Sequence, residues 1–359
     1  MRALFVVSGL GLGNSTRCHA IVQRLHARGS EVEVLTSGNG LWYFRNRPEV
    51  ATLHEIESLY YSAKHGRISI VSTAGSVGRL AGILRRNGRR LGALLDERRP
   101  DVVVVDSDYT IWPMRRRRIP IVAVNNSDVV HHAYRLFPDR PSSIRPQFYA
   151  VEEMDYLFHR TFPTRVVSPT IDPSIPGGGG KFQRVGPIVR EGYGPAPHTG
   201  PPRRAVVMLS GSVFGSPVVL RRESYPVHVD VLGRGAPPGW QGRPGITYHG
   251  KLLDTRELLR QADLVVVNGG FSAVSEVFCM RKPVVVVPVP RHAEQWLNAR
   301  TIVRLGVGLM AAEEGLEDAL LEGLERIEEL RAAYARIPAA EDGASQAAEA
   351  IARAGAGGR

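Results

Sequence analysis

With 359 residues, 43% of them hydrophobic and 23% charged, the chain is too long for one ordinary core and far from disordered or collagen-like composition, so two globular domains are expected. Its formal charge of +11 is carried by the first half: residues 1–190 hold 27 Lys and Arg against 16 Asp and Glu, and residues 191–359 hold 19 of each. Cys18 and Cys279 lie far apart without ligand spacing, which argues against a disulfide framework or a structural zinc site. No run reaches the roughly 18 apolar residues of a membrane span or forms a secretory h-region, so a cytoplasmic protein, soluble or peripheral on the inner face of a membrane, is expected.

In chain order, Arg2 to Ser8 predicts a buried parallel strand, followed by a glycine loop (Gly9, Gly11, Gly13) and a helix from about Asn14 to Arg28. Asn14 would cap that helix, Cys18, Ile21, Val22 and Leu25 recur at helical spacing, and Gly29 would end it. Further strands are expected at 31–36, 52–56, 102–105 and 121–124. Residues 171–204, with Gly177 to Gly180 and Pro195, Pro197, Pro201 and Pro202, read as a linker. Strands recur at 205–209, 227–232, 264–267 and 284–287, before one helix over 312–336 stopped by Pro338 and a short one over 344–354. Apolar strands alternating with helices predict an α/β fold: two Rossmann-like doubly wound domains facing a cleft, with ligands at the carboxyl ends of the strands.

The first glycine loop is a poor dinucleotide site. Its spacing is GxGxG with Asn14 where the last glycine of GxGxxG would fall, and the second strand ends Val34-Leu35-Thr36-Ser37 without the acid that takes an NAD ribose. Such a loop can equally be a turn that packs helix on strand.

The segment from Ala262 to Val277 carries more chemistry. A strand ends in Asn268-Gly269-Gly270, and a helix opens at Phe271-Ser272-Ala273 with Glu276 about a turn further in. The amides of Gly270, Phe271, Ser272 and Ala273 at that helix start would suit a diphosphate, and Glu276 could accept hydrogen bonds from ribose hydroxyls. After a strand at Val284 to Val287, Glu294 and Gln295 offer acceptors and a donor for sugar hydroxyls. Phosphate site, diol acceptor and sugar binder in that order describe a nucleotide-sugar pocket.

These residues resemble the donor-binding region of GT-B glycosyltransferases, in the branch that includes the peptidoglycan N-acetylglucosaminyltransferases and the macrolide-type and predicted microbial glycosyltransferases. The resemblance implies that Gly270, Phe271, Ser272 and Ala273 hold the donor diphosphate, with Gly269 also in the donor site, Glu276 the ribose, and Glu294 with Gln295 the sugar. It extends to Leu209-Ser210-Gly211-Ser212, similar to the Gly/Ser loop of the family, and to His249-Gly250-Lys251-Leu252-Leu253, similar to the loop whose backbone meets the nucleobase. The implied organisation is an acceptor-binding domain over 1–170, a linker over 171–204, a donor-binding domain over 205–340, and a tail over 341–359 that packs back on the first domain.

The family writes its first loop as GxGH followed by Arg; here Gly11, Gly13, Asn14 and Arg17 form the acceptor-side loop, and Asn14 stands where relatives carry histidine. An amide takes no proton at neutral pH, so a base is sought elsewhere. Pro100 to Asp108, followed by Ile119-Pro120 and Asn125-Asn126, resembles another family region. On an extended chain Asp106 and Asp108 share a side, which makes Asp106 the first candidate base and Asp108 the second; an Asp that caps a following helix is the alternative. His19 is the nearest histidine, and His131-His132 could touch an acceptor.

The Glu-x7-Glu motif of retaining relatives is absent, since Asn268 occupies its first position, and Asp106-Ser107-Asp108 is in the wrong half for a donor-side metal motif. An inverting, metal-independent hexosyl transfer is expected, with UDP-sugar as donor, no cofactor, and a small molecule, glycan or lipid-linked glycan as acceptor. Two alternatives remain: a nucleotide-sugar hydrolase, whose GHxxRC opening Arg17-Cys18 partly matches, and a non-catalytic nucleotide-sugar binding protein. Between Lys64 and Arg99 nine basic residues face two acids, and Arg85, Arg86, Arg89 and Arg90 would line one helix side. That surface could meet an anionic membrane or be merely solvated. No module for nucleic acid accompanies the charge.

Overall fold

The computed structural model describes residues 1–57, 63–64, 67–68, 77–209, 218–233 and 235–357, with 63–64, 67–68 and 77–81 as backbone only. Ser210, Gly211 and Ser212 therefore lie outside the described residues, as do the side chains of the basic stretch up to residue 81. The chain divides into two units, one of Met1–His132, Glu153–Arg190 and Glu341–Arg359, the other of Ala133–Glu152 and Glu191–Ala340.

The first unit is built on strands β1 (Arg2–Val7), β2 (Glu31–Thr36), β3 (Thr52–Glu55), β6 (Val102–Asp106), β7 (Ile121–Val124), β8 (Arg165–Pro169) and β9 (Phe182–Val185); β4 (Ala63–Lys64) and β5 (Arg67–Ile68) form a separate antiparallel pair. The seven pair in parallel in the order β3-β2-β1-β6-β7-β8-β9. β6 and β7 are buried along their whole length, the expected state of central parallel strands covered by helices on both faces. One face packs Phe5, Val7, Val104 and Val124 against Ile21 and Leu25 of the helix Leu12–Ala27 and against Ala347 and Ile351 of the helix Gly343–Ala356. The other packs Leu4, Val103 and Val105 against Leu91 and Leu95 of the helix Val77–Arg98. Each fully buried aliphatic side chain stabilises the fold by about 1.5–3 kcal/mol.

The second unit holds a sheet of β10 (Arg204–Met208), β11 (His228–Leu232), β12 (Ile246–Gly250), β13 (Leu264–Val267), β14 (Val284–Val286) and β15 (Gly308–Met310). All pair in parallel in the order β12-β11-β10-β13-β14-β15. In each sheet the chain reverses its direction of winding once, between β1 and β6 and between β10 and β13, and ligands of doubly wound sheets bind at the carboxyl ends beside that switch. The doubly wound α/β reading of the sequence is thus observed twice.

Local differences have physical causes. The first helix starts at Leu12 behind Gly11, with no side-chain cap, so Asn14 lies inside the first turn and is not the capping residue. Part of the stretch read as a linker is β9, and the unit boundary falls at Arg190. Residues 133–152 belong to the second unit. The acidic segment expected as one helix breaks at Arg326 into Leu316–Glu325 and Ile327–Ala333. Asp342 caps the last helix by accepting from the Ser345 amide at 3.1 Å.

Candidate active site

Asp106 is the last residue of β6, level with Val7 of β1, and it is fully buried. Arg17, on the adjoining helix, donates to both its oxygens, Nη2 to Oδ1 at 2.7 Å and Nε to Oδ2 at 3.0 Å. The Cys18 thiol donates to Oδ2 at 3.3 Å and the Ser107 hydroxyl to Oδ1 at 3.2 Å. A carboxylate enclosed in this way and paired with a guanidinium holds the strand end to the helix; it has no lone pair left at the surface for an acceptor's proton. Burial, reinforced by the Asp106 charge, pushes the Cys18 thiol well above its ordinary range, so it stays protonated and donating.

Ser107 breaks the alternation on which Asp106 and Asp108 were expected to share a side. Its φ of 52° is left-handed, a conformation costly for a residue with a Cβ, and it turns the chain out of the strand. Asp108 then accepts from the Thr110 amide at 2.8 Å and lines a pocket with Val7, Ser8, Leu10, Ser37, Ile56, Glu57, Ser107 and Tyr109. Burial raises its pKa above the usual carboxylate value, with the Thr110 hydrogen bonds opposing the rise. The pocket sits beside the switch between β1 and β6. Gly9 is needed there because a Cβ would overlap the Ser37 carbonyl, and Asn39 ties the loop down by donating from its amide nitrogens to the carbonyls of Gly9 and Leu10.

The remaining first-half candidates differ in their surroundings. His19 is buried, its Nδ1 3.0 Å from the Tyr43 hydroxyl and its Nε2 3.4 Å from Glu49, and burial outweighs Glu49 to push its pKa down to about 4. It does not line the Asp108 pocket. Arg17, expected on the acceptor side, is committed to Asp106, whereas Gly11 is exposed and Gly13 and Asn14 half-buried. His131 is buried, 2.7 Å from a Glu153 oxygen and stacked on Tyr156. Leu91, Leu94 and Leu95 bury one side of the long basic helix. Arg86 on its outer side is bridged to Glu57 at 2.6 Å and 2.8 Å, while Arg85, Arg89 and Arg90 are exposed.

In the second unit β13 runs through Asn268, Gly269 and Gly270 into the helix Phe271–Cys279. Gly270 caps that helix in an extended conformation and brings no side chain to its first amides, the arrangement that favours an anion. Asn268 Nδ2 donates to the Val287 carbonyl at 3.0 Å and Asn298 Nδ2 to the Gly269 carbonyl at 2.9 Å, which fixes the turn from both sides. Phe271 is buried under it, Ser272 and Ala273 are half-buried, and Glu276 is 7% exposed. Glu294 and Gln295 lie in the first turn of the helix Ala293–Leu305. Gln295 Oε1 accepts from the Val289 amide at 3.0 Å, so its NH2 is the group it can offer a sugar. At the end of β12, His249 Nε2 lies 2.7 Å from buried Asp230, Lys251 is exposed and Leu252 half-buried.

Gly269 is where these parts meet, since a Cβ there would overlap the backbone of Gln295. Gly269→Ala is expected to push the two helix starts apart and to cost about 1–3 kcal/mol, as overpacking does. A thermal melt reads the loss, and unchanged stability would show that the contact yields freely.

Several residues of these sites have no local sequence signal. Ser8, Ser37 and Tyr109 join Asp108 because the ends of parallel strands converge. Gln147 holds the helix that carries Glu294 by accepting from the Ala293 amide at 2.8 Å across 146 positions of sequence.

Known proteins share this architecture and parts of the sequence. Residues 1–142 match the glycosyl transferase family 1 domain and residues 247–357 the glycosyltransferase family 28 C-terminal domain. A glycosyltransferase of Methanosarcina acetivorans, itself uncharacterized, is 25% identical over 355 residues, covering 91% of this chain and 90% of its own. A UDP-N-acetylglucosamine--N-acetylmuramyl-(pentapeptide) pyrophosphoryl-undecaprenol N-acetylglucosamine transferase of Shouchella clausii is 31% identical over 107 residues, 28% of this chain and 30% of that protein. In fold, MurG of Acinetobacter baumannii superposes with a TM-score of 0.64 at 14% identity, over 98% of this chain and 99% of its own. The glycosyltransferase SnogD of Streptomyces nogalater gives 0.59 at 18% identity, over 99% of each chain. With glycosyl transferase family 1 sequence matched at residues 1–142, glycosyltransferase family 28 sequence at residues 247–357 and two Rossmann-like parallel sheets beneath them, the chain has the GT-B architecture and carries glycosyltransferase sequence in both of its parts.

Proposed function

We propose that the protein moves a hexosyl group from a nucleoside diphosphate sugar, a UDP-sugar first among them, to an acceptor hydroxyl with inversion and without a catalytic metal. The observation that carries this reading is the helix Phe271–Cys279, which opens behind Gly269-Gly270 at the switch point of the second sheet and holds Glu276 within it. Its amides would receive the charge that builds on the diphosphate as the anomeric C–O bond breaks. Glu276 would take the ribose diol, and Glu294 and the Gln295 NH2 the sugar. Asp108, which lines its own pocket at the end of β6, would serve as the base that takes the proton of the acceptor hydroxyl. UDP is favoured because the relatives matched include UDP-N-acetylglucosamine transferases, and a solved structure of similar fold, UGT89C1 of Arabidopsis thaliana, is described as complexed with UDP.

Calorimetry against UDP, dTDP, GDP and CDP tests the donor site. UDP is expected to bind best, and Glu276→Ala to weaken it by about tenfold or more, the loss of a charged hydrogen-bonding group. Absence of binding by all four, or a Glu276→Ala protein that binds UDP as tightly as the parent, overturns the reading. Sugar release from a UDP-sugar without acceptor separates the hydrolase from the transferase: rapid stoichiometric release is hydrolysis, and slow leakage is transfer awaiting its acceptor. Normal donor binding with no turnover on any acceptor would leave a binding protein.

A further inference from the structure

Three side chains of the second unit converge in a way that sugar transfer does not require. Glu152, His292 and Glu294 each bring a ligand-type atom within 4.8 Å of the other two. His292 is the N-cap residue of the helix Ala293–Leu305 and Glu294 is in its first turn. Glu152 arrives from the segment Ala133–Glu152 and is 8% exposed. Gln147 fastens the arrangement: its Nε2 donates to Glu152 Oε1 at 2.6 Å while its Oε1 accepts from the Ala293 amide at 2.8 Å. The Nδ1 of His292 is buried and makes no hydrogen bond to any of the described residues. A buried polar atom left in that state costs on the order of 1–3 kcal/mol, which a ligand would relieve.

We infer that Glu152, His292 and Glu294 form a binding site for a divalent transition-metal cation of the zinc class. One imidazole nitrogen with two carboxylates is a donor set that such ions take up, whereas magnesium and calcium prefer oxygen alone. Donor atoms around a tetrahedral zinc stand roughly 3.4 Å apart, given zinc–ligand bonds of about 2.1 Å, so side-chain adjustments of about an ångström close the site. Three protein ligands leave a position open for water. Gln147 serves as the outer hydrogen-bonding partner that orients one ligand. Glu294 is also the carboxylate assigned above to the donor sugar, so bound metal and sugar compete for it and the ion acts as an inhibitor. This consequence rests on the donor reading; the metal site does not.

The full chain, stripped with a chelator and free of nucleotide, is titrated with Co2+ followed by its visible absorption and with Zn2+ by calorimetry. One saturable equivalent is expected, with Mg2+ binding far more weakly. His292→Ala and Glu152→Gln should each weaken Zn2+ by at least about tenfold, the lower limit for losing even an outer partner of a metal site. Circular dichroism verifies that both variants fold, and the milder Glu152→Gln keeps the test open should His292→Ala not fold. No saturable binding, or variants that bind as the parent does, overturns the site. In activity assays Zn2+ should raise the donor KM at constant kcat and lose that effect in Glu152→Gln. Zinc binding with an unchanged donor KM overturns the competition alone, and failure of UDP binding in metal-free protein overturns the donor reading alone.

Discussion

Asp108→Asn is expected to lower kcat by about 10²–10⁴-fold, the usual worth of a positioned general base, while the donor KM stays within about twofold. The substitution keeps the size and the Thr110 contact and removes only the capacity to take a proton. Burial raises the Asp108 pKa, and the base must be ionised to act. Activity of the parent should therefore fall as pH drops through this raised pKa, with an acid limb above the ordinary carboxylate value of about 4, and Asp108→Asn should lack that limb. Initial rates over a pH series with a fixed acceptor measure both. A variant that retains parental kcat, or the parental acid limb, removes Asp108 from the mechanism.

Arg17→Met is expected to cost about 3–5 kcal/mol of stability, the penalty for leaving one partner of a buried ion pair alone. Both side chains are enclosed, at 6% and 0% exposure, so water cannot replace the guanidinium. The melting temperature should fall by about 10 °C, given roughly 2–4 °C per kcal/mol for a unit of this size. The double variant Arg17→Met with Asp106→Leu should recover most of the loss, because an apolar pair of similar volume often matches a buried ion pair. Differential scanning calorimetry of the three proteins decides the matter. A double variant no more stable than Arg17→Met would mean that Asp106 supports the fold through Cys18 and Ser107 and not chiefly through Arg17.

The contrast between these two aspartates shows how far residue patterns reach. A strand of valines ending in carboxylates was legible at residues 102–108, because a parallel strand covered on both faces must be continuously apolar. The role of each carboxylate was not. The turn at Ser107 separates their directions, and the partner of Asp106 lies 89 positions away. For His19 the position in the helix leaves solvent and core equally open, and the fold decides for the core by closing Tyr43 and Glu49 around it.

Strands without an apolar run were equally hidden. β12 and β15 form the edges of the second sheet and β9 an edge of the first, and β12 is mostly half-buried, so little hydrophobic pattern marks it. β8 is internal but short, and ends in Ser168 and Pro169.

The order of amino acids alone settled the α/β class, both glycine turns at strand ends and the helix start beside Glu276, because apolar runs and glycine-governed turns act over a few residues. Folding settled which charges neutralise one another and which stay usable: Arg17 goes to Asp106, Asp108 keeps its pocket, and Gln147 ties Glu152 to the helix of His292 and Glu294. Parallel sheets bring the ends of sequence-distant strands together, and the energy of pairing or isolating a charge depends on those neighbours and on the water they exclude.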